Sequence, residues 1–241
     1  SADDFWYIQK DRIDAVEEYF KKLRDNVEEG ISSQTNIIDV CIPQQYFSTY
    51  LGELLDIRIL DLPGIQAKNK NEQHHVEQIS EKYAANADIV ILVGRSDDLA
   101  FVNPKRLMLE QFKYWTSQSS RFRVVLTYAF SPSSVIDYVK EKQEKFNLDV
   151  FKDRVFEQLN THDFEIPNQC RNIVFPLEFG GSLEGIKDKN QKYFNIIESV
   201  NYDSFNALYE SIRKAANPYS RFSNGFDVQR LAKEKINEER R

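Results

Sequence analysis

The sequence predicts an α/β domain of three layers, a mostly parallel β-sheet with helices on both faces. From residue 36 onward, short β-rich runs alternate with segments of helical periodicity, which is typical of βαβ units with right-handed crossovers. The run 89–93 is apolar with no polar alternation, as in a parallel strand buried on both faces. With 241 residues, 41% of them hydrophobic, the chain can form one large domain with a packed core.

The charge balance and the cysteines exclude several classes of protein. The formal net charge is −6, with acids and bases interspersed, which argues against a nucleic-acid-binding surface. Two distant cysteines, Cys41 and Cys170, do not make a disulfide framework, and we expect a reducing, cytoplasmic compartment. The first residues do not form a signal peptide, and the longest apolar run, 87–94, is far shorter than the roughly 20 residues of a membrane span.

The first part of the chain is predicted to contain one helix and two strands. Apolar residues at spacings of three and four predict a helix at 11–29, which Gly30 ends. A β-rich run at 36–42 ends at Pro43, and a second strand is predicted at 56–60.

The middle of the chain continues the alternation on both sides of the apolar run. A helix is predicted at 72–87, before that run. After it, Asn103 offers an N-cap and Pro104 the first position of a helix to about residue 117. The next strand is predicted at 123–127.

Beyond residue 130 the sequence predicts further helices, one strand and a charged extension. These elements are helices at 135–145 and 150–159, a strand at 172–177, a helix that starts at an Asp203 cap and breaks at Asn217-Pro218, and a charged helix from about 227. The predicted domains are therefore 1–218 and a helical extension at 219–241, a candidate for the start of a stalk.

One motif follows the predicted strand 56–60, and it carries the chemistry. Asp61 stands at the carboxyl end of that strand, where a carboxylate can hold Mg²⁺ directly or through water. Gly64 has no Cβ, so its N–H can approach a terminal phosphate, and the polar loop 66–71 would move when the phosphate leaves. The alternative interpretation is an ordinary turn after a strand. In that case the Asp61 side chain caps the turn, and the Pro63-Gly64 pair bends the chain.

The same residues resemble a known family, the dynamin-like large GTPases of the P-loop superfamily. Three stretches carry the resemblance: Asp61-Leu62-Pro63-Gly64-Ile65 is similar to the family's switch-two motif, Ser96-Asp97-Asp98-Leu99-Ala100 to the stretch after the next strand, and Gln118-Ser119-Ser120-Arg121 to the turn before the guanine-motif strand. The resemblance covers about residues 11–130 and extends, less clearly, to residue 216.

The resemblance implies a site that binds GTP with Mg²⁺ and hydrolyses it. The implied nucleotide-binding residues are Asp61, Leu62, Pro63, Gly64 and Thr127, with Asp61 as the metal contact. The P-loop lysine and the residue that orients the attacking water would lie upstream, so no catalytic residue is assigned in this chain. The implied partners are the nucleotide, other copies through G domains or a helical stalk, and a membrane surface reached from the cytoplasm.

Three departures from the family pattern leave alternatives open. No G-x-x-x-x-G-K-[ST] occurs in the sequence. In the guanine motif Thr127 matches, but Tyr128 replaces a lysine and Phe130 replaces the aspartate that reads the base. The loop expected to cap the guanine falls at 178–182. Its glycine pair permits close approach to a base, but the rest of the loop does not match a family motif. The alternatives are a pseudo-GTPase interaction module without hydrolysis and a nucleotide hydrolase with relaxed base choice.

The missing P-loop strand is predicted to lie between the strands 56–60 and 89–93. Without it, buried backbone groups on both strands would stay unpaired. We favour an upstream segment as its source. There are two alternatives. A second chain supplies the strand, or the sheet closes without it.

Other polar residues are weaker candidates for a site. His74 and His75 are adjacent on a predicted helix and point about 100° apart, so they do not share a metal. His162 has no cysteine or serine partner that would indicate a catalytic triad. Arg95 follows a strand and could meet a ligand, but a surface ion pair is the more common role for such a residue.

Overall fold

A computed structural model describes residues 87–105, 107, 110–160 and 166–215, with scattered residues elsewhere. The scattered residues are 18, 19, 21, 22, 25, 26, 29, 59–61, 74, 77, 78, 80, 82–84, 229, 232, 233, 236 and 237. The chain divides into two compact units. The first comprises Ser1–Leu54 and Arg58–Lys82, and the second comprises Leu55–Ile57 and Tyr83–Arg241.

The second unit contains a parallel three-stranded sheet in the described part of the chain. Its strands are β1 (Val90–Arg95), β2 (Phe122–Thr127) and β3 (Val174–Pro176), and they lie in that order. Both pairings are parallel, and Arg95 lies opposite Thr127 at the end of β1 and β2. The predicted α/β class and the three predicted strands in this region are therefore confirmed.

The central strand β2 is buried, whereas β1 is covered on one face only. Leu92 is buried, but Ile91 is 42% and Val93 61% exposed, so the prediction of a strand buried on both faces is wrong for one face. The reason lies in the segment that follows β1. A Cβ on Gly94 would clash with the Phe101 ring, so this segment folds back over the face of Leu92 and Gly94. On the opposite face, the side chains of Ile91 and Val93 remain exposed.

Between residues 110 and 215, the described part of the second unit contains five α-helices. They are α1 (Glu110–Lys113), α2 (Ser133–Lys142), α3 (Leu148–Asn160), α4 (Gly181–Lys189) and α5 (Gln191–Ala215), with 3₁₀ turns at Leu99–Val102, Gln143–Lys145 and Asn168–Ile173. The predictions for α2 and α3 are confirmed. The apolar residues predicted to lie in register on α3, namely Phe151, Val155 and Leu159, are all buried.

The helix predicted to start at Asn103 is shorter than expected. Asn103 does cap, since its side chain accepts the Lys105 N–H at 2.9 Å, but Pro104 and Lys105 form a turn. The α-helix in this region is α1, and the residues after it form turns. Trp115 is fully buried and its indole N–H donates to the Val102 carbonyl at 2.8 Å, which fixes the turns against the preceding segment.

The prediction that a helix begins at Asp203 is wrong. Asp203 is exposed in the middle of α5, which begins twelve residues earlier at Gln191. The buried residues Tyr193, Ile197 and Val200 continue the helical period toward the amino end. The cap is Asn190, whose side chain accepts the Tyr193 N–H at 3.0 Å. Helix α4, immediately before it, was not anticipated from the pattern.

The core of the second unit surrounds β2 and is rich in aromatic rings. Phe130 packs against Phe151 and Phe146, with ring centroids 5.2 and 6.4 Å apart. Phe122 meets Phe112 edge-on at 6.2 Å. Such contacts add to the stability gained from burying the rings.

The first unit and the chain terminus are described at scattered residues only. Residues 18, 19, 21, 22, 25 and 26, then 74, 77, 78, 80, 82 and 83, and then 229, 232, 233, 236 and 237 are helical, in agreement with the predicted helices. Ile59 and Leu60 are not in a strand and are 85% and 38% exposed. The predicted strand 56–60 is therefore wrong at these two residues, because no ladder pairs them there. Residues 36–42 and 56–58 lie outside the described residues.

No helix among the described residues is both long and apolar enough to cross a membrane.

Candidate functional site at the carboxyl edge of the sheet

The three strands of the second unit end at one edge of the sheet. Because the strands are parallel, the residues that follow β1, β2 and β3 share that edge. In open α/β sheets, ligands bind outside the carboxyl ends of the strands. The polar groups of this edge are therefore the ones to consider for a site.

An exposed carboxylate stands at the end of β1 in a fixed position. Arg95 Nε and one terminal nitrogen donate to the two oxygens of Asp97 at 2.9 and 2.7 Å. The Arg95 guanidinium also lies 4.2 Å from the centre of the Tyr128 ring. The hydrogen bond from Arg95 lowers the pKa of Asp97 below its usual value, so this carboxyl is ionised at neutral pH. Arg95 thus makes the surface ion pair considered above for it.

Tyr128 holds an unusual backbone conformation beside this ion pair. Its φ is +56°, in the left-handed region that an aromatic side chain seldom adopts, and such a residue costs on the order of 1–3 kcal/mol. Two hydrogen bonds fasten the loop. The Ser96 hydroxyl donates to the Tyr128 carbonyl at 2.8 Å, and the Ser96 N–H donates to the Thr127 carbonyl at 2.9 Å. The half-buried ring is therefore held where the loops after β1 and β2 meet.

Thr127, a predicted nucleotide-binding residue, lies at this edge as the last residue of β2. Its hydroxyl donates to the Gly94 carbonyl at 3.2 Å, so its proton is used to join β2 to β1. The oxygen keeps its capacity to accept a hydrogen bond.

Phe130, which stands where the family resemblance would place a base-reading aspartate, is 0% exposed in the aromatic core. It offers no polar side-chain atom and no surface. No base can be recognised by a side chain at this position.

A buried carboxylate joins the loops that follow β2 and β3. Glu178 is 1% exposed and accepts hydrogen bonds from the Phe130 N–H at 2.8 Å and from the Ser182 hydroxyl. Its own backbone is held by the Asn201 side chain, at 2.8 Å through N–H and 3.0 Å through the carbonyl. Glu178 therefore fastens the edge from inside.

Tyr193 on α5 completes that internal network. Its hydroxyl donates to the Phe130 carbonyl at 2.6 Å. Burial raises the pKa of Tyr193 strongly, and the negative charge of Glu178 raises it further, so the phenol stays protonated and keeps donating.

The loop after β3 presents an aromatic ring and two glycines to open space. Phe179 is 60% exposed. Gly180 has φ +63° and ψ −147°, a region essentially restricted to glycine, and it precedes the first turn of α4. A Cβ on Gly180 or Gly181 would meet no atom within 4 Å. The predicted capping loop 178–182 therefore lies at the edge, with Glu178 and Ser182 engaged in internal hydrogen bonds.

The remaining predicted site residues belong to the first unit. Asp61 is exposed there, whereas Leu62, Pro63 and Gly64 lie outside the described residues. His74 is exposed and its ring nitrogen meets the Gln78 amide nitrogen at 2.9 Å, and His75 and His162 are not among the described residues. In the described part of the chain, no three or more His, Cys, Asp or Glu residues group together as a possible metal site.

Sequence reasoning missed Glu178, Asp97 and the conformation of Tyr128. An acid directly after a buried strand was a signal for Glu178, but its partner Phe130 lies 48 residues away. The Asp97 pairing could have been suspected, because Arg95 stands two residues before it at a strand end.

Comparison of the chain with protein-family models, with curated proteins and with solved structures gives no match.

Proposed function

We propose that this chain is the greater part of the G domain of a dynamin-like GTPase, which binds GTP with Mg²⁺ and hydrolyses it. The observation that carries the proposal is the parallel order β1-β2-β3, with one shared carboxyl edge, downstream of the Asp61–Gly64 motif. In the finer form of the proposal, these are three strands of a larger sheet in a three-layer P-loop fold. A charged helix at the carboxyl terminus then leads toward a stalk.

The motif residues have distinct roles in the proposed reaction. Asp61 is an exposed hard oxygen donor, and Mg²⁺ in nucleotide sites takes one or two carboxylates plus phosphate oxygens and water. A single carboxylate is thus a sufficient contribution from this part of the chain. The metal supplies neutralisation of the phosphate charge. Gly64 donates its backbone N–H to the terminal phosphate, and hydrolysis proceeds by positioning and charge neutralisation, without a covalent intermediate.

The open face of β1 supports an upstream segment that carries the P-loop. Ile91 and Val93 are apolar but 42% and 61% exposed, although a parallel strand of this composition is usually covered on both faces. In the proposal, the P-loop strand pairs beside β1 in the sheet, and the helix that follows it covers this face. The P-loop lysine and the residue that orients water belong to that segment.

A second candidate is a pseudo-GTPase that serves as an interaction module. Phe130 favours it, because the position expected to read guanine is filled by a ring with no exposed surface. The third candidate is a nucleotide hydrolase with relaxed base choice. Phe130 favours this candidate too, since binding of the phosphates depends on Asp61 and Gly64 and not on position 130.

Nucleotide titration of the full natural polypeptide separates these functions. Fluorescent GTP and ATP are titrated with Mg²⁺ against the wild type, Asp61→Ala and, as a matched control, Asp137→Ala. Asp137 is a carboxylate on α2 that is 78% exposed and pairs only loosely with Lys140. We expect tight GTP binding that is lost in Asp61→Ala and retained in Asp137→Ala. Failure to bind either nucleotide supports the interaction module, and equal binding supports relaxed base choice.

A further inference from the structure

A buried guanidinium lies near the amino end of β2, away from the carboxyl edge of the sheet. Arg123 is the second residue of that strand and is 6% exposed. Its Nε donates to the Ser211 hydroxyl on α5. Its Nη1 donates to three backbone carbonyls, those of Ser119 at 3.1 Å, Ser120 at 3.0 Å and Phe122 at 2.6 Å. The side chain therefore joins β2 to α5 and to the turn before the strand.

The positive charge of Arg123 has no counter-ion in the described part of the chain. Its acceptors there are one hydroxyl and three carbonyls, none of them a carboxylate. Burial alone lowers the pKa of Arg123, and no acid offsets the effect. The guanidinium stays charged even so, because arginine does not lose its proton in proteins. Since a buried charge is normally paired with an opposite one, the surroundings of Arg123 are short of one negative charge.

Two hydrogen-bond donors stand side by side at this charge. The planar guanidinium places one N–H of Nη2 parallel to the Nε–H, on the same side of the group. Among the described residues, Nη2 has no acceptor, and the Ser211 hydroxyl accepts from Nε without donating its own proton. The sealed side-chain atoms without a partner in that part of the chain are the hydroxyl oxygens of Ser80 and Ser204. Because Nη2 is not one of them, solvent reaches it.

The two donors are arranged to hold one oxygen of an anion. In a side-on arginine pair, two acceptor oxygens lie next to each other along the Nε and Nη2 edge. The Ser211 oxygen occupies the first position. An anionic oxygen in the second position accepts from Nη2 and also from the hydroxyl, since O–H···O⁻ bonds are about 2.5–2.7 Å long. Water in this position would satisfy the donors but would leave the charge uncompensated.

We propose that Arg123 and Ser211 form a binding site for a small oxoanion, a carboxylate or a phosphate, between β2 and α5. The guanidinium is nearly enclosed, so the ligand is a small ion or enters by a single group. The site is separate from the carboxyl edge, because Arg123 stands about 13 Å before Thr127 along β2. The anion neutralises the guanidinium and ties the strand to the helix, independently of the proposed nucleotide binding.

Calorimetric titration of the chain described here tests this inference. Sodium phosphate and sodium acetate are titrated at neutral pH in a zwitterionic buffer, with sodium chloride as the control for ionic strength. We expect saturable binding of at least one of the two oxoanions to the wild type. Ser211→Ala should weaken that binding by about tenfold, because a hydrogen bond to the anion is lost, and Arg123→Met should abolish it.

Matched controls come from exposed residues on the same helix. Ser199→Ala removes a hydroxyl from α5, and Arg213→Met removes a guanidinium from it. Neither residue contacts Arg123, so both variants should bind the oxoanion as the wild type does. Circular dichroism shows whether Arg123→Met is folded. If it is not, Ser211→Ala decides the question, since it removes one oxygen atom from a half-buried position.

Each result of the titration has a definite meaning. Weaker binding in Ser211→Ala supports the site, and the anion that binds, phosphate, acetate or both, identifies the chemical class of the ligand. Equal binding in the wild type and in Ser211→Ala would place the anion elsewhere, for example at the proposed nucleotide site, and would overturn this inference. Binding of neither oxoanion to the wild type would overturn it as well. A chain that binds no nucleotide leaves this inference standing.

Discussion

Two buried ionisable side chains of the second unit differ in the partners that surround them. Each side-chain oxygen of Glu178 has a hydrogen-bond donor, the Phe130 N–H for one and the Ser182 hydroxyl for the other. Lys152 on α3 is only 6% exposed, and its ammonium lies 5.2 Å from the centre of the Phe175 ring. Its burial lowers the pKa of Lys152 to about 8, with nearby Arg171 acting in the same direction and Asp149 against it.

We predict that Lys152→Met stabilises the protein at neutral pH. Below about pH 8, Lys152 is charged in the folded and the unfolded protein, so the full cost of burying the charge is present. Between pH 8 and the unfolded value of 10.5 the folded protein has released the proton and the unfolded chain still holds it. The free energy of unfolding therefore rises with pH over this window, by up to about 3 kcal/mol.

Denaturant unfolding of both proteins from pH 6 to 10.5 checks this prediction. The Lys152→Met protein should be more stable at pH 7 and should lack the alkaline gain. Lys140→Met is the matched control, since Lys140 is 59% exposed on α2 and its replacement should leave the pH dependence unchanged. A wild-type stability that does not rise between pH 8 and 10.5 would contradict the prediction.

At the scale of elements, helix α5 shows how a local capping residue sets a boundary. We predict that Asn190→Ala lowers the free energy of unfolding by about 1 kcal/mol, because the side chain that accepts the Tyr193 N–H is lost. Asp203→Ala, in the middle of the same helix, should change stability by less than about 0.5 kcal/mol. Urea unfolding of the two variants against the wild type measures both values. Equal losses in the two variants would show that Asn190 is not the cap.

The elements that sequence alone predicted are those with a strong local pattern. The strands β1 and β2 and the helices α2 and α3 follow from apolar runs and helical spacing within each segment. The start of α5 was misplaced because two good N-cap residues, Asn190 and Asp203, occur in one periodic segment. The buried residues that decide between them are known only from packing.

The strand-end positions of two candidate residues were predictable, but the contacts around them were not. Thr127 and Arg95 were expected at strand ends, and both lie at the shared carboxyl edge. The left-handed Tyr128 and the buried Glu178 depend on contacts with residues 32 and 48 positions away, which no local pattern contains. The burial of Phe130 likewise follows from the ring of Phe151 on α3 and from that of Phe146, between the preceding 3₁₀ turn and α3, not from its neighbours in sequence.

At the scale of the whole molecule, the second unit has a sheet whose two faces are unequal. The exposed apolar side chains Ile91 and Val93 share one face of β1 with Arg95, which stands at the carboxyl end of the strand. Large exposed apolar residues in a row on one strand are typical of surfaces that another segment covers. In the proposed function that segment precedes the chain and contains the P-loop.

We predict that Val93→Thr has different effects in the chain described here and in a longer natural polypeptide. In this chain Val93 is 61% exposed, so a near-isosteric hydroxyl should change the free energy of unfolding by less than about 0.5 kcal/mol. In a polypeptide that contains a P-loop helix over this face, the same hydroxyl would be buried without a partner and should cost about 1–3 kcal/mol. Val125→Thr is the matched control, because Val125 lies directly opposite on β2, is 6% exposed and should be costly in both contexts. Denaturant unfolding of the four variants decides the question, and a negligible cost of Val93→Thr in the longer polypeptide would mean that the upstream segment does not cover this face.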